Sequence, residues 1–227
     1  MLKLKHPYIS VSYPDGPSFG GSQRKSGNKI IASCGCGLVA AVDLLIYITR
    51  NHSLYGESKI KAMSLHEKIP ENNYRDSLIK MALSYFPLVP WLGMNGLGLM
   101  TGMQAYFTRY KLPFSCHWCI SDVGLWDKVY NMLESDIPVI MSVGPNFPFI
   151  WRNGKAMLYT KSSTGEYKAA SGVKAHFITI TGMDDEWLEI SSWGRCYYLN
   201  RRMYEEYVSK YSASLVSNIL FVKRKQG

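Results

Sequence analysis

The chain has 227 residues, 47% hydrophobic and 13% aromatic, with 26 Lys and Arg against 17 Asp and Glu for a formal net charge of +9. That composition suits one large domain or two joined halves, and it excludes a disordered tail, a collagen-like rod and a small disulfide scaffold. The basic residues fall in short scattered clusters with no recognition helix beside them, so the excess reads as a solvated basic face rather than a nucleic-acid surface.

Residues 1–33 are rich in Gly, Pro, Ser and Asn and read as an irregular lead-in. Gly37 to about Asn51 is apolar nearly all round, which predicts a buried helix. Its apolar run is broken by Asp43 and falls short of the roughly 18 residues a membrane span needs. The opening Met1-Leu-Lys-Leu-Lys-His-Pro lacks the apolar stretch of a secretory signal, so the expectation is a cytoplasmic protein with no membrane span. Further helices are predicted at about 73–86, 97–110 and 122–135, the last capped by Ser121 or Asp122.

After Pro138 the texture changes to strands, at about 139–143, 156–161, 166–170, 176–182, 186–192, 195–200 and 216–223, with one short helix near 201–210. Helices first and antiparallel strands second predict an α+β chain. We expect a single domain with a helical half at about 36–135, a β half at about 137–223, and a cleft between them.

Five cysteines, an odd number, argue against a disulfide framework. The informative one is Cys36, in Ser33-Cys-Gly-Cys-Gly-Leu-Val-Ala-Ala-Val-Asp, at the mouth of the buried helix. Free backbone N–H groups and the helix dipole favour an anion there and can also donate to an oxyanion. Far along the chain, Ala175-His-Phe-Ile-Thr-Ile-Thr-Gly-Met-Asp-Asp-Glu-Trp-Leu-Glu-Ile-Ser-Ser-Trp-Gly reads as a hairpin that folds Ser191 or Ser192 back onto His176. A thiol, an imidazole and a hydroxyl to orient the ring are the parts of covalent acyl transfer. The rival is zinc held by Cys34, Cys36, Cys116 and Cys119, although a C-x-C pair is an uncommon knuckle and the two halves lie far apart in sequence. We expect no metal and no cofactor.

Taken together, Cys-Gly-Cys-Gly before a buried helix, a late strand His and Ser-Ser-Trp-Gly after a hairpin resemble the papain-like cysteine peptidases. The stretch Gly35-Cys-Gly-Leu-Val-Ala-Ala is similar to bacterial members related to the bacteriocin-leader-processing (double-glycine) peptidases, as is Pro138-Val-Ile-Met-Ser-Val followed by a His strand. The resemblance implies a papain-like fold with Cys36 as nucleophile, His176 as general base, and Trp193 shielding the bond from His176 to its orienter. It puts Ser191 at the position of the family's orienting Asn, whereas pairing Ile178 with Ile190 by periodicity puts Ser192 opposite His176. The family's oxyanion glutamine lies about six residues before the nucleophile, where this chain has Ile30; Gln23, thirteen before, and Asn28 are the amide candidates.

The implied activity is hydrolysis of a peptide or isopeptide bond through a thiolate–imidazolium pair and a thioester. The implied partner is a peptide or protein substrate, with no nucleic acid. Alternatives are amidase or acyltransferase chemistry on the same thiol, a non-catalytic binding protein, and the zinc reading.

Overall fold

The computed structural model describes residues 1–52, 57–148 and 150–225. The chain opens with three short strands, β1 (Leu2–Lys3), β2 (Ser10–Tyr13) and β3 (Gly16–Pro17), and a 3-10 turn at Gln23–Lys25. Helices α1 (Lys29–Cys34), α2 (Cys36–Asn51) and α3 (Ser58–Ser64) follow, then β4 (Lys68–Pro70), α4 (Glu71–Ser84), α5 (Gly96–Arg109), β5 (Phe114–Trp118) and α6 (Leu125–Glu134). The second half runs β6 (Val139–Val143), β7 (Ala156–Lys161), β8 (Tyr167–Val173), β9 (His176–Met183), β10 (Trp187–Ser192), β11 (Arg195–Asn200), α7 (Arg201–Tyr211) and β12 (Ile219–Arg224).

The fold is α+β. Its main sheet is antiparallel in the order β5-β12-β6-β9-β10-β11-β7-β8, with β1 also pairing with β9. Strands β3, β2 and β4 make a second small sheet, in which β2 and β4 run parallel.

Helix α2 organises the core. Every residue from Gly37 to Thr49 is buried, because the helix lies against β9 and β6 on one side and α3, α4 and α5 on others. Each Leu or Ile in it, among them Leu38, Leu44, Leu45 and Ile46, removes its whole side chain from water, worth roughly 2 kcal/mol apiece. A helix so enclosed is a rigid base on which to mount a reactive group at its first residue. Among the described residues no helix is long and apolar enough to cross a membrane.

Three expectations need correction. The lead-in 1–33 is not irregular throughout, since it holds β1, β2, β3, the 3-10 turn and the start of α1. Its strands find partners remote in sequence, β1 on β9 and β2 on β4, so no local periodicity announces them. The helical half also contributes a strand to the main sheet, because β5 pairs with β12. Finally, α6 starts at Leu125 rather than 122, with Gly124 at φ 64° as its cap residue; glycine enters that left-handed geometry without a Cβ penalty.

Candidate active site

The interruption of the helix at Gly35, between α1 and α2, puts Cys36 where it is. Gly35 is at once the C-cap of α1, donating its N–H to Ile31 O at 2.8 Å, and the N-cap of α2. A Cβ at this position would sit 2.5 Å from the Ile31 carbonyl oxygen, so only glycine allows the two helices to meet this closely. Cys36 is therefore the first residue of α2, among backbone N–H groups with no carbonyl partner in the helix. Its neighbour Cys34 turns elsewhere, with its sulfur toward the carbonyls of Ile30 and Val89.

His176 opens β9, and its ring lines one small cavity with Cys36, Gln23, Asp43, Phe177, Ser191, Ser192 and Trp193. The cavity encloses about 20 Å³, room for roughly one water molecule. The backbone N–H of Phe177, next after His176, is a hydrogen-bond donor to the Cys36 sulfur, so the thiol is set against the start of β9. His176 Nε2 lies 2.8 Å from Ser192 Oγ, which leaves Nδ1 as the other nitrogen the ring can use. The imidazole stacks on Trp193, with ring centres 4.6 Å apart and planes tilted by 23°. Trp193 (φ 51°) and Gly194 (φ 77°) form the two-residue turn joining β10 to β11, the left-handed pair that a tight hairpin prefers.

Ser192, not Ser191, meets the imidazole. Ser191 Oγ instead donates to Phe19 O at 2.7 Å. The reason is a change of register within the hairpin. From its turn the hairpin pairs Leu188 with Met183 and Glu189 with Gly182, a register that would put Ser191 on the face of His176. Between Glu189 and Ile190 the pairing slips, so that Ile190 faces Ile180 and Ser191 faces Thr179, with Thr181 as the extra residue. A one-residue slip exchanges the two faces of a strand, and this one brings Ser192 round to His176. The bulge is pinned from outside: Leu4 N–H donates to Thr181 O at 3.1 Å, and Thr181 Oγ1 donates to Glu189 Oε1 at 3.1 Å.

Of the two amide candidates, Gln23 is buried in the cavity wall and donates its Nε2 to Ala32 O at 3.1 Å. Asn28 is committed to capping α1, its Oδ1 accepting from Ile30 N at 3.0 Å and Ile31 N at 3.1 Å. Helix α1 explains the thirteen-residue separation of Gln23 from Cys36, because it folds the intervening chain back and returns Gln23 to the cavity.

The electrostatics favour neutral groups. Burial pushes the Cys36 thiol up, against the opposing pull of the N–H groups of Phe177, Gly37 and Cys36 itself. Burial, and then the nearby Arg24 guanidinium, hold His176 down at about 4. Both shifts run toward the neutral forms, thiol and uncharged imidazole, and against the thiolate–imidazolium pair expected from sequence, because burial disfavours either charge.

Two further groups at the site lay outside the sequence reading. Asp43, one of the residues of α2, accepts hydrogen bonds from Tyr74, Gly21 and Tyr8; its only sign in the sequence is that it interrupts the apolar run. Arg24 lies with its guanidinium 4.5 Å from the centre of the Trp193 ring. The four cysteines of the zinc reading do not assemble: among the described residues no group of three or more His, Cys, Asp or Glu could hold a metal ion. Cys116 and Cys119 belong to β5 and its end, where Cys116 packs its sulfur against Met100 O and Gln104.

No protein-family profile matches the chain, and no curated protein matches it. Among solved structures, the chain is similar to a proposed C39-like peptidase from Bacillus anthracis, at 14% identity and a TM-score of 0.44, over 85% of this chain and 90% of that one.

Proposed function

We propose that the protein is a papain-like cysteine peptidase that hydrolyses peptide or isopeptide bonds through Cys36 and His176. The observation that carries this reading is the shared cavity: a cysteine at the first residue of a buried helix lines it together with a histidine that is anchored by a hydroxyl and stacked on a tryptophan. In the first step the Cys36 sulfur attacks the carbonyl carbon while its proton passes to His176 Nδ1. The oxyanion takes hydrogen bonds from the Cys36 N–H and the Gln23 amide. His176 then gives the proton to the leaving amine, and the C–N bond breaks to leave a thioester on Cys36. Water, deprotonated by the same imidazole, releases the acid and restores the thiol.

The test is digestion of a proteome-derived peptide library by enzyme alkylated to graded extents with iodoacetamide, with the modified cysteines located by mass spectrometry. Cleavage should fall in proportion to modification of Cys36. Cleavage that persists with Cys36 fully alkylated overturns the reading. Because the free pair is neutral, alkylation should accelerate with pH into the alkaline range, without the fast plateau near pH 6 that an ion pair would give. The base works only unprotonated, so the acid limb of kcat/KM should fall near pH 4, where His176 titrates, instead of near 6.5.

Ser192 orients the imidazole in this scheme. Ser192→Ala should lower kcat about tenfold with little change in KM, since a neutral hydroxyl fixes the ring and its tautomer without supplying charge. Ser191→Ala should cost about 1 kcal/mol of stability through the lost bond to Phe19 O. Its effect on kcat should be the smaller of the two. The reverse ranking in kcat would assign orientation to Ser191.

A further inference from the structure

Trp193 belongs to two hollows. It lines the Cys36–His176 cavity and also a groove of about 310 Å³ that takes in Tyr13, Asp15, Ser22, Arg24, Lys25 and Arg195. The charge there is net positive. Lys25 is spent on an ion pair with Asp15 and lies with its ammonium 4.4 Å from the centre of the Tyr13 ring. Arg24 and Arg195 are exposed, and neither is in an ion pair among the described residues. Three cations and one carboxylate leave the groove at +2 (3 − 1). The two guanidinium groups outside any ion pair suit carboxylates, which such forks bind in parallel pairs of hydrogen bonds.

Where this groove stands relative to the chemistry follows from the proton path. His176 protonates the leaving amine, so the substrate chain beyond that amine must start at the imidazole and run past the ring on which the imidazole stacks. That ring is Trp193, and the groove begins on it. We infer that the groove is the leaving-group subsite and that it selects acidic segments, with Asp or Glu among the first three residues after the scissile bond. The inference rests on the peptidase reading above and adds the substrate class to it. The same two arginines draw acidic chains toward the cavity, an attraction that salt weakens.

Two measurements separate this inference from the reading beneath it. In the first, wild-type enzyme digests a peptide library and cleavage sites are profiled by residue; acidic residues on the leaving side should raise kcat/KM at least about tenfold over neutral ones. Arg195→Glu should erase that ratio, and raising salt to 0.5 M should shrink it. Cleavage with no acidic preference, or a preference that Arg195→Glu leaves intact, overturns the inference while the peptidase reading stands. The second uses Cys36→Ala and the fluorescence anisotropy of fluorescein-labelled hexaglutamate, hexaserine and hexalysine peptides. Hexaglutamate should bind at least about tenfold tighter than hexaserine, and the Arg24→Glu/Arg195→Glu double variant, checked for folding by circular dichroism, should reverse the order. Equal affinities overturn the inference even where no peptide is cleaved, an outcome that by itself counts only against the peptidase reading.

Discussion

Cys36→Ala is expected to fold like the parent and to lose peptide-bond cleavage by a factor on the order of 10⁴ or more, the scale on which removal of an activated nucleophile acts. The substitution removes one sulfur atom from a half-buried position and puts a strong helix former at the start of α2. Stability should therefore stay within about 1 kcal/mol of the parent. His176→Ala should lose activity on the same scale but is the harsher change structurally, since it strips the ring from Trp193 and leaves Ser192 Oγ without its partner. The double variant should be no slower than either single one, because a nucleophile without its base and a base without its nucleophile are equally idle. Purified Cys36→Ala that keeps cleavage within tenfold of the parent would sink the assignment. A double variant slower than both singles would show that the two residues act separately.

How much of this site the sequence discloses depends on the range of the interactions involved. Helix α2 is legible because thirteen consecutive buried positions, Gly37 to Thr49, leave an apolar record that only Asp43 interrupts before Thr49. Strands β6 to β12 are legible for a related reason: their alternation or apolar runs are local, and turn residues such as those before Trp187 separate them. Cys36 and His176 stand at the first residue of such elements, where composition changes abruptly, and so the sequence singles them out as candidates. Between Ser191 and Ser192 the alternation points to Ser192 and the family resemblance to Ser191, and the imidazole meets Ser192, although Ile190 pairs with Ile180 and not with Ile178. The exact register was not legible, because it turns on a single bulge at Thr181, held by the main chain of Leu4 some 177 residues away. Gln23 departs from the family's usual spacing, and the extra length is taken up by α1, which no motif announces. The shift of both groups toward their neutral forms was also beyond the sequence, because motif spacing carries no information on how deeply the pair is buried.

Asp43→Ala is expected to cost both stability and rate, and the two losses have one cause. The carboxylate is buried two helical turns beyond Cys36 on α2. It accepts from Tyr74 Oη at 2.5 Å, Gly21 N at 2.9 Å and Tyr8 Oη at 3.4 Å. Through Gly21 it fixes the segment that carries Gln23. Gly20, at φ +79°, lets that segment come so close that a Cβ there would lie 2.9 Å from Asp43 Oδ2. Alanine leaves three buried donors without an acceptor, so unfolding free energy should drop by about 3 kcal/mol, with a fall in Tm of roughly 6–12 °C. With the Gln23 segment released, kcat should fall about 10²-fold, as when one oxyanion donor is lost, while KM changes less. Asp43→Asn separates charge from shape. Burial raises the native carboxyl to about 7, above its unfolded value of 3.8. The proton is therefore held more tightly in the folded state. Asp43 supports folding fully below pH 4, and that support is lost as pH rises through 7, by about 4 kcal/mol over three pH units. His176 runs the other way, since its depressed value favours folding above pH 6.5 and that support is lost as pH falls through 4. The two slopes oppose each other between pH 4 and 6.5, so the wild-type curve alone does not isolate either. Subtracting the Asp43→Asn unfolding curve from the wild-type curve does, and the difference should decline steadily from pH 4 to about 7.5. A flat difference would mean that Asp43 titrates normally in the native protein. An alanine variant that unfolds as predicted but keeps full kcat would detach the Gln23 segment from catalysis.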